Sequence, residues 1–160
     1  MQDIYEVPIT LKNGTTTTLQ TFKGKTLMIV NIASKCGLTK QLASLQALYD
    51  TFKEQNFEII GVPSSDFMGQ EPLEGEAINQ FCEVNFGCSF TILGKTHVKG
   101  KQACQLFQYL NKTSGVPPFW NFQKYLISPE GKYITYYMPF TQPNSSKIIK
   151  KIESLVKKIG

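Results

Sequence analysis

Thr26-Leu-Met-Ile-Val-Asn-Ile-Ala33 is a continuous apolar run, the pattern of a strand covered on both faces. Directly after it, Leu42, Leu45, Leu48, Tyr49 and Phe52 recur at helical spacing, with Thr39 as the predicted N-cap. A second strand, Phe57-Glu-Ile-Ile-Gly-Val62, completes a βαβ unit and therefore a parallel pair. Ahead of this unit, Tyr5–Leu11 and Thr15–Leu19 flank Asn13-Gly14, which predicts a hairpin.

Beyond the second strand comes a polar loop, Pro63 to Gly75, and then a short helix marked by Ile78, Phe81 and Cys82. Ser89–Leu93 reads as another strand, and Ala103, Leu106, Phe107 and Leu110 as the buried face of another helix. Tyr125–Ser128 and Lys132–Met138 flank Pro129-Glu-Gly131 as a second hairpin. A last helix from about Ser145 gathers Ile148, Ile149, Ile152, Leu155, Val156 and Ile159 within an arc of roughly 120°. Lysines 147, 150, 151, 157 and 158 take its other side, as expected of a terminal helix capping a sheet. This order predicts one α/β domain over residues 1–160: a central mixed sheet, helices on both faces and an N-terminal β-hairpin. That is the outline of a thioredoxin-like fold. Thioredoxins carry Cys-x-x-Cys at the helix start; here Thr39 stands in the second position, so that local disulfide cannot close.

With 41% hydrophobic and 18% charged residues, the 160-residue chain has an ordinary globular composition, long enough for a core without staples. The net charge of +5 comes from lysine alone, because the chain contains no arginine. Reading of bases or phosphates leans on the arginine fork, so nucleic acid is not an expected partner. The N-terminus shows no basic segment followed by an apolar run, and no apolar stretch reaches membrane-spanning length. A cytoplasmic protein with no membrane partner is the expectation. The four cysteines, at 36, 82, 88 and 104, and the single histidine, His97, match neither a zinc site nor a secreted disulfide framework. No metal or cofactor is expected.

Cys36 lies where the buried strand gives way to the helix. A thiol there would face free backbone N–H groups and the positive end of a helix dipole, with Lys35 beside it, and all three favour the attacking thiolate. A lone cysteine at a strand end can equally be core filler.

Three segments decide between those readings. Asn31-Ile-Ala-Ser-Lys-Cys-Gly-Leu-Thr39, Gly61-Val-Pro-Ser-Ser-Asp-Phe-Met-Gly-Gln-Glu-Pro72 and Trp120-Asn-Phe-Gln-Lys-Tyr-Leu126 resemble, in order, the three motifs of the glutathione peroxidase family, in its cysteine rather than selenocysteine version. The likeness extends over essentially the whole chain. It implies a peroxidase that reduces hydrogen peroxide and organic hydroperoxides through a Cys36 sulfenic acid. It also implies a catalytic tetrad of Cys36, Gln70, Trp120 and Asn121. The chemistry suits these types, since the Gln amide, the indole N–H and the Asn amide are neutral donors for the charge that develops as the O–O bond breaks. Taken singly, Gln70 could be merely solvated, Trp120 a core aromatic and Asn121 a turn residue. The second motif departs from the family's usual Pro-Cys-Asn-Gln-Phe-Gly-Gly-Gln-Glu-Pro, with Ser64, Ser65, Asp66 and Met68 as replacements. Leu38 replaces a frequent Phe.

Many relatives outside animals use a second, resolving cysteine on the helix after the Gln motif. That position aligns with Glu83; Cys82 lies one residue earlier, on or beside the stripe formed by Ile78 and Phe81. Cys88 follows Gly87 in a predicted loop, where it would be freer to move, and Cys104 reads as structural. Cys82 and Cys88 are therefore possible resolving thiols, and otherwise glutathione or thioredoxin would reduce Cys36 directly. Tetrameric animal relatives carry a longer insertion before the position of Trp120, so the resemblance implies a monomer or loose dimer here. An alternative function is a redox relay that passes oxidation from Cys36 to a protein partner.

Overall fold

The computed structural model of the chain describes residues 3–156. Its strands and helices run β1 (Pro8–Thr10), β2 (Thr16–Thr18), β3 (Thr26–Ile32), α1 (Gln41–Phe52), β4 (Phe57–Pro63), α2 (Glu76–Phe86), β5 (Thr91–Ile92), α3 (Gln105–Ser114), β6 (Lys124–Ile127), β7 (Ile134–Tyr137) and α4 (Ser146–Val156). Five strands form the central sheet in the order β5-β4-β3-β6-β7, with β3, β4 and β5 parallel and β6 and β7 antiparallel. The fold is thioredoxin-like, with the N-terminal β1–β2 hairpin as a separate two-stranded sheet.

Every residue of β3 and β4 is buried, as their unbroken apolar runs require. Alternate side chains separate two cores. Met28, Val30 and Ile32 meet Leu42 and Leu45 of α1, Ile78 and Cys82 of α2, and Ile148 and Ile152 of α4. Leu27 and Ile29 meet Leu106, Phe107 and Leu110 of α3, with Ile4, Tyr5 and Ile9 from the N-terminal segment. Helices thus cover both faces, and the loops at the C-terminal ends of β3 and β4 are left to build a site.

Several boundaries differ from expectation, each for a local reason. Ile4–Glu6 is a single 3-10 turn rather than strand, because the Asp3 carboxylate accepts from the Tyr5 amide at 3.1 Å. Both Ile4 and Tyr5 then point into the core instead of alternating across a sheet. Strand β5 keeps only two residues. Ser89 is held outside it by the Gln46 side chain, which donates to the Ser89 hydroxyl at 2.9 Å and accepts from its amide at 2.8 Å. The second hairpin turns at Gly131, where φ is +77° and a Cβ would stand 2.8 Å from the Tyr5 ring. Of the apolar stripe on α4, Ile148, Ile152, Leu155 and Val156 are buried; Ile159, Lys157 and Lys158 lie outside the described residues.

Candidate active site

The segment between β3 and α1 is a tight turn rather than a helix start. Helix α1 begins at Gln41 with no side-chain cap, so Cys36 stands before the helix, not at its N-terminus, and Thr39 is not the N-cap. Thr39 is instead buried under the turn, where its hydroxyl accepts from the Cys36 amide and donates to the Ala33 carbonyl, both at 2.9 Å. Cys36 is half-buried, and its sulfur accepts from the Leu38 amide at 3.4 Å. The backbone donor predicted for the thiol therefore comes from within the turn.

Two bonds join this turn to the loop after β4. The Lys35 amide donates to the Gln70 carbonyl at 2.9 Å, and the Ser34 hydroxyl donates to the Glu71 carboxylate at 2.5 Å. Glu71 is buried, and burial pushes its carboxyl upward, against the opposing pull of the Ser34 and Leu73 hydrogen bonds and the Lys95 charge. On the far side, the buried Asn121 donates its Nδ2 to Gln70 Oε1 at 3.1 Å. With its oxygen so engaged, the Gln70 amide nitrogen is left as a donor without a protein partner among the described residues. Trp120 is half-buried and packs against Phe67 with the rings tilted at 54° and their centroids 5.7 Å apart, so it is no simple core aromatic. The structure thus brings Gln70 and Asn121 into direct contact and ties their loop to the Cys36 turn. Among the described residues no direct hydrogen bond joins the sulfur to Gln70, Trp120 or Asn121.

The residue that holds Trp120 and Asn121 in place is Asn31. Buried within β3, it donates its amide to the Trp120 carbonyl at 3.0 Å and accepts from the Gln123 amide at 3.1 Å. Its backbone carbonyl also receives the Phe122 amide at 2.7 Å, and Phe122 takes the unusual φ of +70° that the turn into β6 demands. Asn31 lies inside the first motif, and its one signal in the sequence is an amide set within the apolar run of β3.

The altered second motif has its own supports. Ser64 accepts from the Asp66 amide at 3.1 Å. Asp66 in turn accepts from the Val98 amide and bonds His97 Nδ1, both at 2.7 Å. Burial would raise the Asp66 carboxyl, but those bonds outweigh it and hold it below the ordinary range. Met68, where the family commonly has Gly, takes a left-handed φ of +57° and is 83% exposed, so the loop keeps a glycine-like backbone with a methionine on it.

Cys82 and Cys88 are both buried in the core on the α1–α2 side, so Cys88 is not the freer thiol its loop position implied. Cys104 immediately precedes α3, half-buried, and burial pushes its thiol upward.

A family model described as glutathione peroxidase matches residues 4–111. The chain belongs to the glutathione peroxidase family. It is a cysteine-containing member and a peroxidase. The glutathione peroxidase homolog BsaA of Halalkalibacterium halodurans is 45% identical, over 96% of this chain and 99% of its own length. A Lactococcus lactis glutathione peroxidase is 40% identical, over 94% of this chain and 99% of its own. Among solved structures, T. cruzi GPX1 superposes with a TM-score of 0.76 at 28% identity, covering 98% of this chain and 97% of that one. A putative thiol:disulfide interchange protein DsbE from Chlorobium tepidum reaches 0.65 at 17% identity, covering 97% and 96%, a likeness of fold alone. No helix among the described residues is long and apolar enough to cross a membrane.

Proposed function

We propose that Cys36 is the peroxidatic nucleophile of this glutathione peroxidase relative, acting on hydrogen peroxide and organic hydroperoxides. One observation carries the reading: the half-exposed thiol stands on a turn bonded to the Gln70 loop, and Gln70 is bonded to Asn121. The Cys36 sulfur attacks one peroxide oxygen and the O–O bond breaks. The sulfur is oxidised to the sulfenic acid, and the departing oxygen leaves as water or alcohol with the thiol's proton. Gln70, Trp120 and Asn121 supply neutral donors where that charge develops. The Asn121–Gln70 bond supports this assignment, because it orients the Gln70 nitrogen as a donor.

The reductant is an external thiol. Its sulfur attacks the sulfenic acid and expels water, and a second thiol releases Cys36 from the mixed disulfide. The burial of Cys82 and Cys88 supports this over an internal resolving step, since freeing either thiol means opening the packing around Ile78. Four cysteines carried as free thiols fit a reducing compartment such as the cytoplasm. The test is steady-state peroxide consumption with glutathione and, separately, with thioredoxin and its reductase. Turnover with at least one of them and no Cys36 disulfide in the peroxide-treated enzyme is the expected result. A stoichiometric Cys36–Cys82 or Cys36–Cys88 disulfide would overturn the external-thiol step.

A further inference from the structure

The single histidine of the chain, His97, stands outside the peroxide chemistry, yet it is bonded to the loop that carries Gln70. On that loop, both carboxylate oxygens of Asp66 are engaged by the chain between β5 and α3. Oδ1 meets His97 Nδ1 at 2.7 Å, and Oδ2 accepts from the Val98 amide at 2.7 Å and the Lys99 amide at 3.3 Å. The Asp66 side chain is 9% exposed against 53% for His97, so the carboxylate is the inner member of the pair. The next residue is gripped from the same segment, with Lys99 Nζ 4.6 Å from the centre of the Phe67 ring. Phe67 is buried and lies against Trp120. The gripping segment is itself fixed to α3, because the Cys104 amide bonds the His97 carbonyl at 2.9 Å and the Asn111 side chain bonds the Val98 carbonyl at 3.3 Å.

We propose that Asp66 is a positioning residue for peroxide reduction: with His97 and Lys99 it holds Phe67 against the Trp120 indole and sets the turn that presents Gln70. The inference rests on the reading of Cys36 as the peroxidatic thiol. Residues 65–70 form one tight turn, in which the Gly69 amide bonds the Ser65 carbonyl at 3.1 Å and the Gln70 amide bonds the Phe67 carbonyl at 3.3 Å. Fixing Asp66 and Phe67 therefore fixes where Gln70 begins. A carboxylate suits the task, since three donors converge on it and each bond to an ionised acceptor is stronger than a neutral one. The donors on Trp120 and Gln70 stabilise the departing oxygen only if they are in place before the O–O bond breaks, and a displacement of about 1 Å can cost a hundredfold in rate. The Cys36 sulfur takes its own hydrogen bond from the Leu38 amide inside its turn. Loosening Asp66 should therefore slow the reaction with peroxide and spare the intrinsic reactivity of the thiol.

The test measures two rates at Cys36 in the reduced protein, by timed quenching and peptide mass mapping: oxidation by hydrogen peroxide without added thiol, and alkylation by iodoacetamide. Asp66→Ala should lower the oxidation rate by about tenfold to a hundredfold and leave alkylation nearly as fast as in wild type. Trp120 is the only tryptophan, so its emission reports the Phe67 contact and should shift to the red in Asp66→Ala as the indole gains water. Phe67→Leu leaves the carboxylate bonds in place and removes only the ring. It should show the same divergence of the two rates, and it carries the test if Asp66→Ala does not fold. Oxidation at the wild-type rate in either folded variant, equal losses in oxidation and alkylation, or unchanged Trp120 emission in folded Asp66→Ala would overturn the proposal. Wild-type Cys36 that resists peroxide would refute the peroxidatic reading, and this inference with it.

Discussion

At the scale of single residues, the site is built from short polar side chains that satisfy backbone groups in tight turns. Thr39 is the clearest case. Its β-branched hydroxyl suits an N-cap, and a sequence read locally assigns it there; the fold spends it on the Cys36 amide instead. Glu71 shows the electrostatic side of the same economy. Burial raises its carboxyl, so the folded state binds more protons than the unfolded chain above the ordinary carboxylate range. The stabilising contribution of protonated Glu71 is therefore complete at acid pH and is lost as pH rises through the folded value. Glu71→Gln keeps an oxygen for the Ser34 hydroxyl and removes the buried charge. Urea unfolding across pH should find that variant more stable than wild type at neutral pH, with the difference shrinking below about pH 4. A constant difference across that range would mean that Glu71 is not the group responsible.

At the scale of elements, periodicity exposed what depends on burial, and missed what depends on a single bond. The β3–α1–β4 unit, α3 and α4 follow from apolar spacing because tertiary burial selects the same faces. The 3-10 turn at Ile4–Glu6 and the shortened β5 do not, since each is set by one side chain, Asp3 or Gln46, competing for backbone donors. Residue types and motif order pointed to Gln70, Trp120 and Asn121. The Asn31 anchor beneath them was hidden because an isolated amide in a strand gives no periodic signal. Asn31→Val would keep the strand while leaving the Trp120 carbonyl and Gln123 amide without their partners. Each of these two buried orphans costs about 1–3 kcal/mol, so a loss of roughly 2–6 kcal/mol in urea unfolding is expected. A fall in kcat/KM should accompany it, as the Trp120–Asn121 turn loosens. Unchanged stability and turnover would show that the turn holds without Asn31.

At the scale of the whole molecule, the site exists because the sheet presents β3, β4 and β6 side by side, so that three loops distant in sequence share one edge. Lys124 on β6 anchors a further stretch of chain: buried, it donates its Nζ to the Pro139 carbonyl at 2.8 Å and the Thr141 carbonyl at 2.6 Å. Burial lowers its amine to about 7, so this lysine is no surface charge. Gln41, at the first turn of α1, donates to the same Pro139 carbonyl and ties that stretch to the helix after Cys36. The account's central claim remains chemical: the three loops serve one sulfur. Its most direct test mixes fully reduced protein with one equivalent of hydrogen peroxide, without thiol, and traps the product with a dimedone-class reagent before peptide mass mapping. The expected result is a single sulfenic-acid adduct at Cys36, and no peroxide consumption above background by a folded Cys36→Ser variant, since serine is nearly isosteric but a far poorer nucleophile at neutral pH. Peroxide consumption by Cys36→Ser at the wild-type rate, or a primary adduct at Cys82, Cys88 or Cys104, would contradict it.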